Sequence, residues 1–210
     1  MTLAQAERAA LVETLRGTGP DAPTLCDGWT TRDLLAHLIV RERRLDAAPG
    51  IMVKPLSGYT ERVRAGVAER DFDALLTQLA SGPPIYSPFF LIDRVANLAE
   101  MFVHHEDVLR GAVQADSDWT PRTLSPELEK GLVTPVKSVG KMTLRSSPAT
   151  VVLRTPDGTE LTSGGHGPRV TVTGPVGELL LFAFGRAPVT VAFDGDAEAV
   201  ASVRSAPRGF

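Results

Sequence analysis

Apolar residues recur every three or four positions along the first two thirds of the chain, then switch to alternation along much of the last third. The first spacing predicts amphipathic helices and the second half-buried strands. Leu3, Ala6, Ala10, Leu11 and Leu15 predict a helix over about 3–16, which Gly17 to Pro23 breaks. Thr30, three residues before Asp33, gives a capping-box-like start, with Asp in place of the usual Glu and Trp29 as its apolar staple. The helix it opens reads through LLAHLIVRERRLDAA as far as Pro49-Gly50. Residues 58–80 read as one or two helices divided near Asp71, and SGPPIYSP as a loop. A long helix is predicted from about Phe89 to Gly111, and a shorter one from Ser125 to about Met142.

The character changes near Ser146. β-Branched runs flank Pro156-Asp157-Gly158, a turn signal between two strands. PRVTVTG is a third strand, with Val170 and Val172 alternating against Thr171 and Thr173. Pro175 stands at a first-turn position of the helix VGELLLFAFG, which Gly185 ends. VTVAF predicts another strand, and Asp194 to Val203 a last helix. Strands and helices therefore segregate by half, which predicts an α+β chain. A helical bundle spans 1–145 and a small α+β module spans 146–210.

Composition narrows the class. A hydrophobic fraction of 43% and a charged fraction of 22% describe an ordinary globular protein. A net charge of -3 gives no cationic field for nucleic acid. Cys26 is the single cysteine, which rules out an intrachain disulfide and favours a reducing compartment. The opening MTLAQAERAALVETL lacks a signal-peptide core, and no apolar run approaches the roughly 20 residues that span a bilayer. The expectation is a cytoplasmic protein with neither nucleic acid nor membrane as partner.

Three of the four histidines, His37, His104 and His105, fall in predicted helices. Glu100 precedes His104 by four residues, so the two side chains are neighbours on one helix face. They can reach one cation at about 2.0–2.2 Å. His37 can add a third ligand if its helix packs alongside, which leaves a fourth position open, as in catalytic zinc sites. The 91–111 helix complicates this. Its apolar stripe is Leu91, Val95, Leu98, Phe102 and Leu109, with His105 inside it, whereas Asp93, Asn97, Glu100, His104 and Asp107 form a polar stripe. Either the polar stripe faces solvent and His105 is a core histidine or the ligand, or the polar stripe lines a hydrophilic cleft.

W-T-x-R-D-L-x-A-H-L around His37 and E-M-F-V-H-H-E-D-V around His104 resemble the mycothiol-dependent maleylpyruvate isomerase and DinB-like superfamily of metal-binding helical bundles, in particular an actinobacterial branch. VTGPVGELLLFAFGR is similar to that family's C-terminal α+β module, which is related to sterol-carrier folds. The resemblance implies a DinB-like four-helix bundle followed by such a module. It implies that His37, Glu100 and His104 bind zinc or another divalent metal, with Glu100 marking the isomerase-like variety. Arg186 matches a family arginine implicated in activity, and a planar guanidinium suits anchoring a carboxylate.

Other residues have plainer readings. Asp107 either orients His104 or is a solvated helical aspartate. Cys26 reads as a small apolar residue, with no histidine near it in sequence. Arg41, Arg43 and Arg44 read as a solvated helix face, and His166 lies in a Gly-rich turn without phosphate-loop spacing. The resemblance implies a metal-dependent enzyme in which a low-molecular-weight thiol, mycothiol in an actinobacterial source, attacks an electrophilic substrate by isomerisation or S-transfer. The alternative is a non-catalytic carrier or binding protein with a structural metal.

Overall fold

The computed structural model describes residues 1–51, 53–87, 96–113 and 119–208. They form two compact units, Met1–Gln114 and Ala115–Phe210.

The first unit is helical. Helix α1, Leu3–Thr18, is capped by Thr2, whose hydroxyl accepts from Gln5 N while the Gln5 side chain accepts from Thr2 N. Helix α2, Thr31–Arg43, opens on the predicted reciprocal box between Thr30 and Asp33. It ends at Arg43, earlier than the patterning predicts, and two 3-10 turns, Ala48–Ile51 and Lys54–Leu56, take up the chain around Pro49 and Pro55. Helices α3, Ser57–Ala68, and α4, Phe72–Ala80, divide at Asp71, which caps α4 by accepting from Ala74 N. Helix α5 is described over Ala96–Leu109. Its expected beginning near Phe89, with Leu91, Asp93 and Val95, lies outside the described residues.

Helix α1 packs on α4 and α5, and α2 on α3 and α4. Their shared core contains Leu11, Leu15, Leu34, Leu35, Leu38, Leu75, Leu79 and Met101. Each such side chain is stabilised by about 1.5–3 kcal/mol on leaving water. The interior also holds charge. Arg8 on α1 forks onto Glu42 on α2 at 2.6 and 2.8 Å, and both are buried. Arg110 pairs with Glu106 at 2.7 Å, buried likewise.

The α2 start also answers to pH. Arg64 on α3 donates to Asp33. Burial opposes the Asp33 charge, but the Arg64 and Thr30 hydrogen bonds prevail and hold its carboxyl below the usual range. A carboxylate with a depressed folded pKa contributes stability above the unfolded value of 3.8, and loses it as pH falls through the folded value. Asp33→Ala is expected to cost about 1 kcal/mol near neutral pH, in line with losing a cap. In urea titrations the difference from wild type should narrow below about pH 4. A difference independent of pH would remove the charge from this account.

The second unit is α+β. Strands β1 (Thr150–Arg154), β2 (Glu160–Gly164), β3 (Arg169–Thr173) and β4 (Ala192–Gly195) form one sheet in the order β2-β1-β3-β4. The β1/β3 pair is parallel and the outer two pairs are antiparallel. The predicted turn joins β1 to β2, where Asp157 accepts from Thr159 N and Gly158 takes φ 91°. Val151, Val152 and Leu153 are buried in succession, so β1 is covered on both faces. Helix α7, Val176–Ala183, follows Pro175, and helix α8, Ala197–Ser205, starts at its Asp196 cap rather than at Asp194. Strand β4 accordingly lies a little later than the predicted VTVAF run.

Helix α6, Pro126–Thr143, belongs with this sheet and not with the helices before it, so the boundary falls at 114/115 rather than at the expected 145/146. Its apolar face, Leu132, Val136 and Gly140, is buried, and the helix packs on β2 and α7. A Cβ at Gly140 would stand 2.7 Å from Thr162 Cγ2 and 3.2 Å from Leu153 Cδ1. Gly140→Val is therefore expected to destabilise the unit by about 1–3 kcal/mol through overpacking, measured by urea denaturation. A neutral result would mean the helix can lift off the sheet without cost. Among the described residues no helix is long and apolar enough to cross a membrane.

Candidate metal centre

Helix α2 presents His37 at the edge of its apolar stripe. Leu34, Leu35 and Leu38 are fully buried and fix the rotation of the helix. The Trp29 ring stands 5.1 Å from the His37 ring, and Arg64 stacks over Trp29 at 4.9 Å from its centroid. The residue just before the α2 cap thus walls its histidine.

Helix α5 brings Glu100 and His104 to the same place. His104 Nε2 lies 3.2 Å from Glu100 Oε1, one turn away, and His37 Nε2 lies 3.6 Å from that oxygen. The two imidazole rings approach edge-on with centroids 5.3 Å apart. One donor atom from each of His37, Glu100 and His104 lies within 4.8 Å of the other two. The polar stripe of α5 therefore faces the interior, and the solvent-face reading is set aside. Glu100 and His104 were placed on one face by their spacing alone; that His37 joins them follows from the packing.

His105 points elsewhere. Its Nδ1 lies 2.8 Å from Glu7 Oε1 and its Nε2 2.8 Å from Thr14 Oγ1, both on α1. It is a satisfied core histidine, one of the alternatives that periodicity left open.

Asp107 is fully buried, and its Oδ2 lies 2.9 Å from His104 Nδ1, so that nitrogen carries the proton and Nε2 faces Glu100. The reading of Asp107 as a solvated aspartate falls away. Arg41 was expected on a solvated face, yet it is buried. Its Nε lies 3.3 Å from Glu100 Oε1, and its terminal nitrogen donates to Asn97 Oδ1 at 2.9 Å. Arg43 donates to the Gln78 and Gly82 carbonyls, while Arg44 pairs at the surface with Asp46. The signal for Arg41 was available: it follows His37 by four residues, on the same face of α2.

Cys26 was also misread. Its Sγ donates to Asp107 Oδ2 at 3.2 Å. Nothing local announces this, because 81 residues separate the pair. The loop is held there by Leu25 N donating to Asp107 O at 2.9 Å. A second tie is Gly111, where a Cβ would stand 2.0 Å from the Pro23 carbonyl oxygen.

The electrostatics suit a cation. Burial pushes the His37 pKa down, toward the neutral form that ligates metals. Burial opposes the Glu100 charge, but Arg41, His104 and His37 hold its carboxyl well below the usual range. Burial also opposes protonation of His104, yet Asp107, Cys26 and Glu100 raise its pKa well above the usual value. Two imidazoles and a carboxylate gathered within 4.8 Å of one another are a donor set that fits a divalent ion.

Arg186 lies in the second unit, just after α7. Its backbone N donates to Leu181 O at 2.9 Å, and its guanidinium reaches Phe184 O at 3.5 Å.

Residues 1–84 match the family described as mycothiol maleylpyruvate isomerase N-terminal domain. Among solved structures the chain is similar to a histidine-to-alanine mutant of the mycothiol-dependent maleylpyruvate isomerase. The TM-score is 0.58, with 16% identity over 90% of each chain. A second structure of that isomerase gives a TM-score of 0.49 and 18% identity over the same shares. No curated protein matches the sequence. With its helical unit, its α+β unit and this match together, the chain is similar over residues 1–84 to the mycothiol maleylpyruvate isomerase N-terminal domain family and has the fold of that isomerase.

Proposed function

We propose that this chain is a divalent-metal-dependent enzyme that acts with a low-molecular-weight thiol, mycothiol, on an electrophilic substrate, as an isomerase or S-transferase. The observation that carries the reading is the convergence of His37 and His104 Nε2 on one oxygen of Glu100. His37, Glu100 and His104 would hold the ion, and zinc suits two imidazoles and a carboxylate with one position open. When bound, such an ion supplies Lewis acidity that turns a thiol into a thiolate at neutral pH.

The chain's own residues supply the rest. Asp107 fixes the His104 tautomer, so that Nε2 is the nitrogen turned toward Glu100. Arg41 keeps Glu100 ionised and lends a positive charge that favours anionic ligands nearby. Trp29 and the α2 core leucines exclude water from one side of His37. Helices α1, α2, α4 and α5 are the four-helix framework that carries this set. Arg186 is the proposed anchor for a carboxylate on the thiol or the substrate. A cytoplasmic setting, where thiols stay reduced, agrees with a single cysteine, which can form no intrachain disulfide.

Elemental analysis of protein purified without a histidine tag tests this. About one metal ion per chain is expected in the wild type, largely lost in His37→Ala and in Glu100→Ala, and kept in Arg186→Ala. Calorimetric titration with mycothiol should then show binding that depends on the metal. No metal in the wild type after zinc is added back would overturn the reading.

A further inference from the structure

We propose that Cys26, His104 and Asp107 form a second, thiophilic metal-binding set, built on the ring nitrogen of His104 that faces away from Glu100. His104 stands between two donor groups. Its Nε2 is turned to Glu100, and its Nδ1 to Asp107 Oδ2 at 2.9 Å. Cys26 Sγ lies 3.2 Å from that same Asp107 oxygen, and one donor atom from each of the three residues lies within 4.8 Å of the others. Ligands at about 2.0–2.3 Å from a tetrahedral ion stand roughly 3.3–3.7 Å apart. Asp107 Oδ2 therefore needs to draw back from Nδ1 and from Sγ by only a few tenths of an ångström to admit one.

The set is preorganised. Asp107 is fully buried and His104 nearly so, on a helix held in the core by Met101 and Val108. The loop bearing Cys26 is fastened at three points. Leu25 bonds the Asp107 carbonyl, Thr24 Oγ1 accepts from Cys26 N and donates to Trp29 O, and Gly111 sits against Pro23. A thiolate changes the selectivity. His37 and Glu100 offer a nitrogen and an oxygen, which suit zinc and harder ions, whereas a sulfur draws cadmium and other soft cations. On binding, the thiol proton and the Nδ1 proton leave to solvent, and sulfur, nitrogen and a carboxylate oxygen take the ion. The two sets share His104, so they either bridge through its ring or compete for it. The inference rests on these three side chains and not on His37 or Glu100.

Cadmium titration of the whole chain, freed of metal, is the test. The His37→Ala/Glu100→Ala double variant is expected to bind one Cd2+ per chain with an ultraviolet sulfur-to-cadmium charge-transfer band. Cys26 is the single cysteine, so the band reports on it alone. Adding Cys26→Ser should abolish the band and weaken binding at least tenfold, with circular dichroism showing both variants folded. In the wild type, Cd2+ should also slow alkylation of Cys26 at least tenfold, which needs no substitution. A folded double variant that takes up no Cd2+, or takes it up without the band, overturns the proposal while leaving the zinc reading untouched. A band at half an equivalent per chain, from cysteines of two copies, overturns it as well.

Discussion

Arg8→Ala is expected to cost the helical unit about 3–5 kcal/mol, the loss that follows when one partner of a buried ion pair is removed. Arg8 makes three hydrogen bonds, two to Glu42 at 2.6 and 2.8 Å and one to the Leu79 carbonyl at 3.2 Å. It thereby joins α1 to α2 and to the end of α4. Glu42 is 0% exposed, so truncation at Arg8 strands a buried carboxylate. The pair itself contributes much less than its removal costs, because desolvation offsets most of the attraction. Arg8→Met/Glu42→Leu should accordingly recover most of the loss. Urea unfolding followed by circular dichroism decides the matter. A loss below about 1 kcal/mol in Arg8→Ala would mean that water reaches Glu42 in the variant.

Asp107→Asn is expected to lower metal affinity about 10–100-fold while leaving the fold intact, the usual effect of losing the residue that orients a ligating histidine. The asparagine keeps the shape, but an amide is a weaker acceptor and fixes the imidazole tautomer less firmly. The Cys26 thiol also loses its charged acceptor. Competition against a chelator of known affinity measures the change, with circular dichroism as the control for folding. A change below twofold would show that His104 keeps its orientation without Asp107.

Much of this was legible in the sequence, and the physical reason is locality. Thr30 and Asp33 announce the α2 start within four residues, and Asp71 marks the α3/α4 break by capping. Glu100 and His104 declare themselves because a helix fixes their spacing. What failed depended on partners far along the chain. Arg41 and Arg43 looked solvated because Asn97, Glu100 and Gln78 lie far from them in sequence. Helix α6 was assigned to the helical half by its own period, which says nothing of the sheet it covers. Cys26 looked inert for want of a nearby histidine. For the polar stripe of α5 both readings stood, because periodicity separates two faces without saying which one is wet.

The placement of His104 has a dynamic corollary. With a carboxylate on either side of the ring, a half-turn about the Cβ–Cγ bond would put a carbon where each nitrogen now stands, so it cannot occur unless both contacts break first. A histidine on a solvated helix face reorients freely; this one is held in one of its two settings. Proton spectra of the chain should then show a slowly exchanging His104 ring N–H signal, which a freely turning ring would lose to solvent exchange.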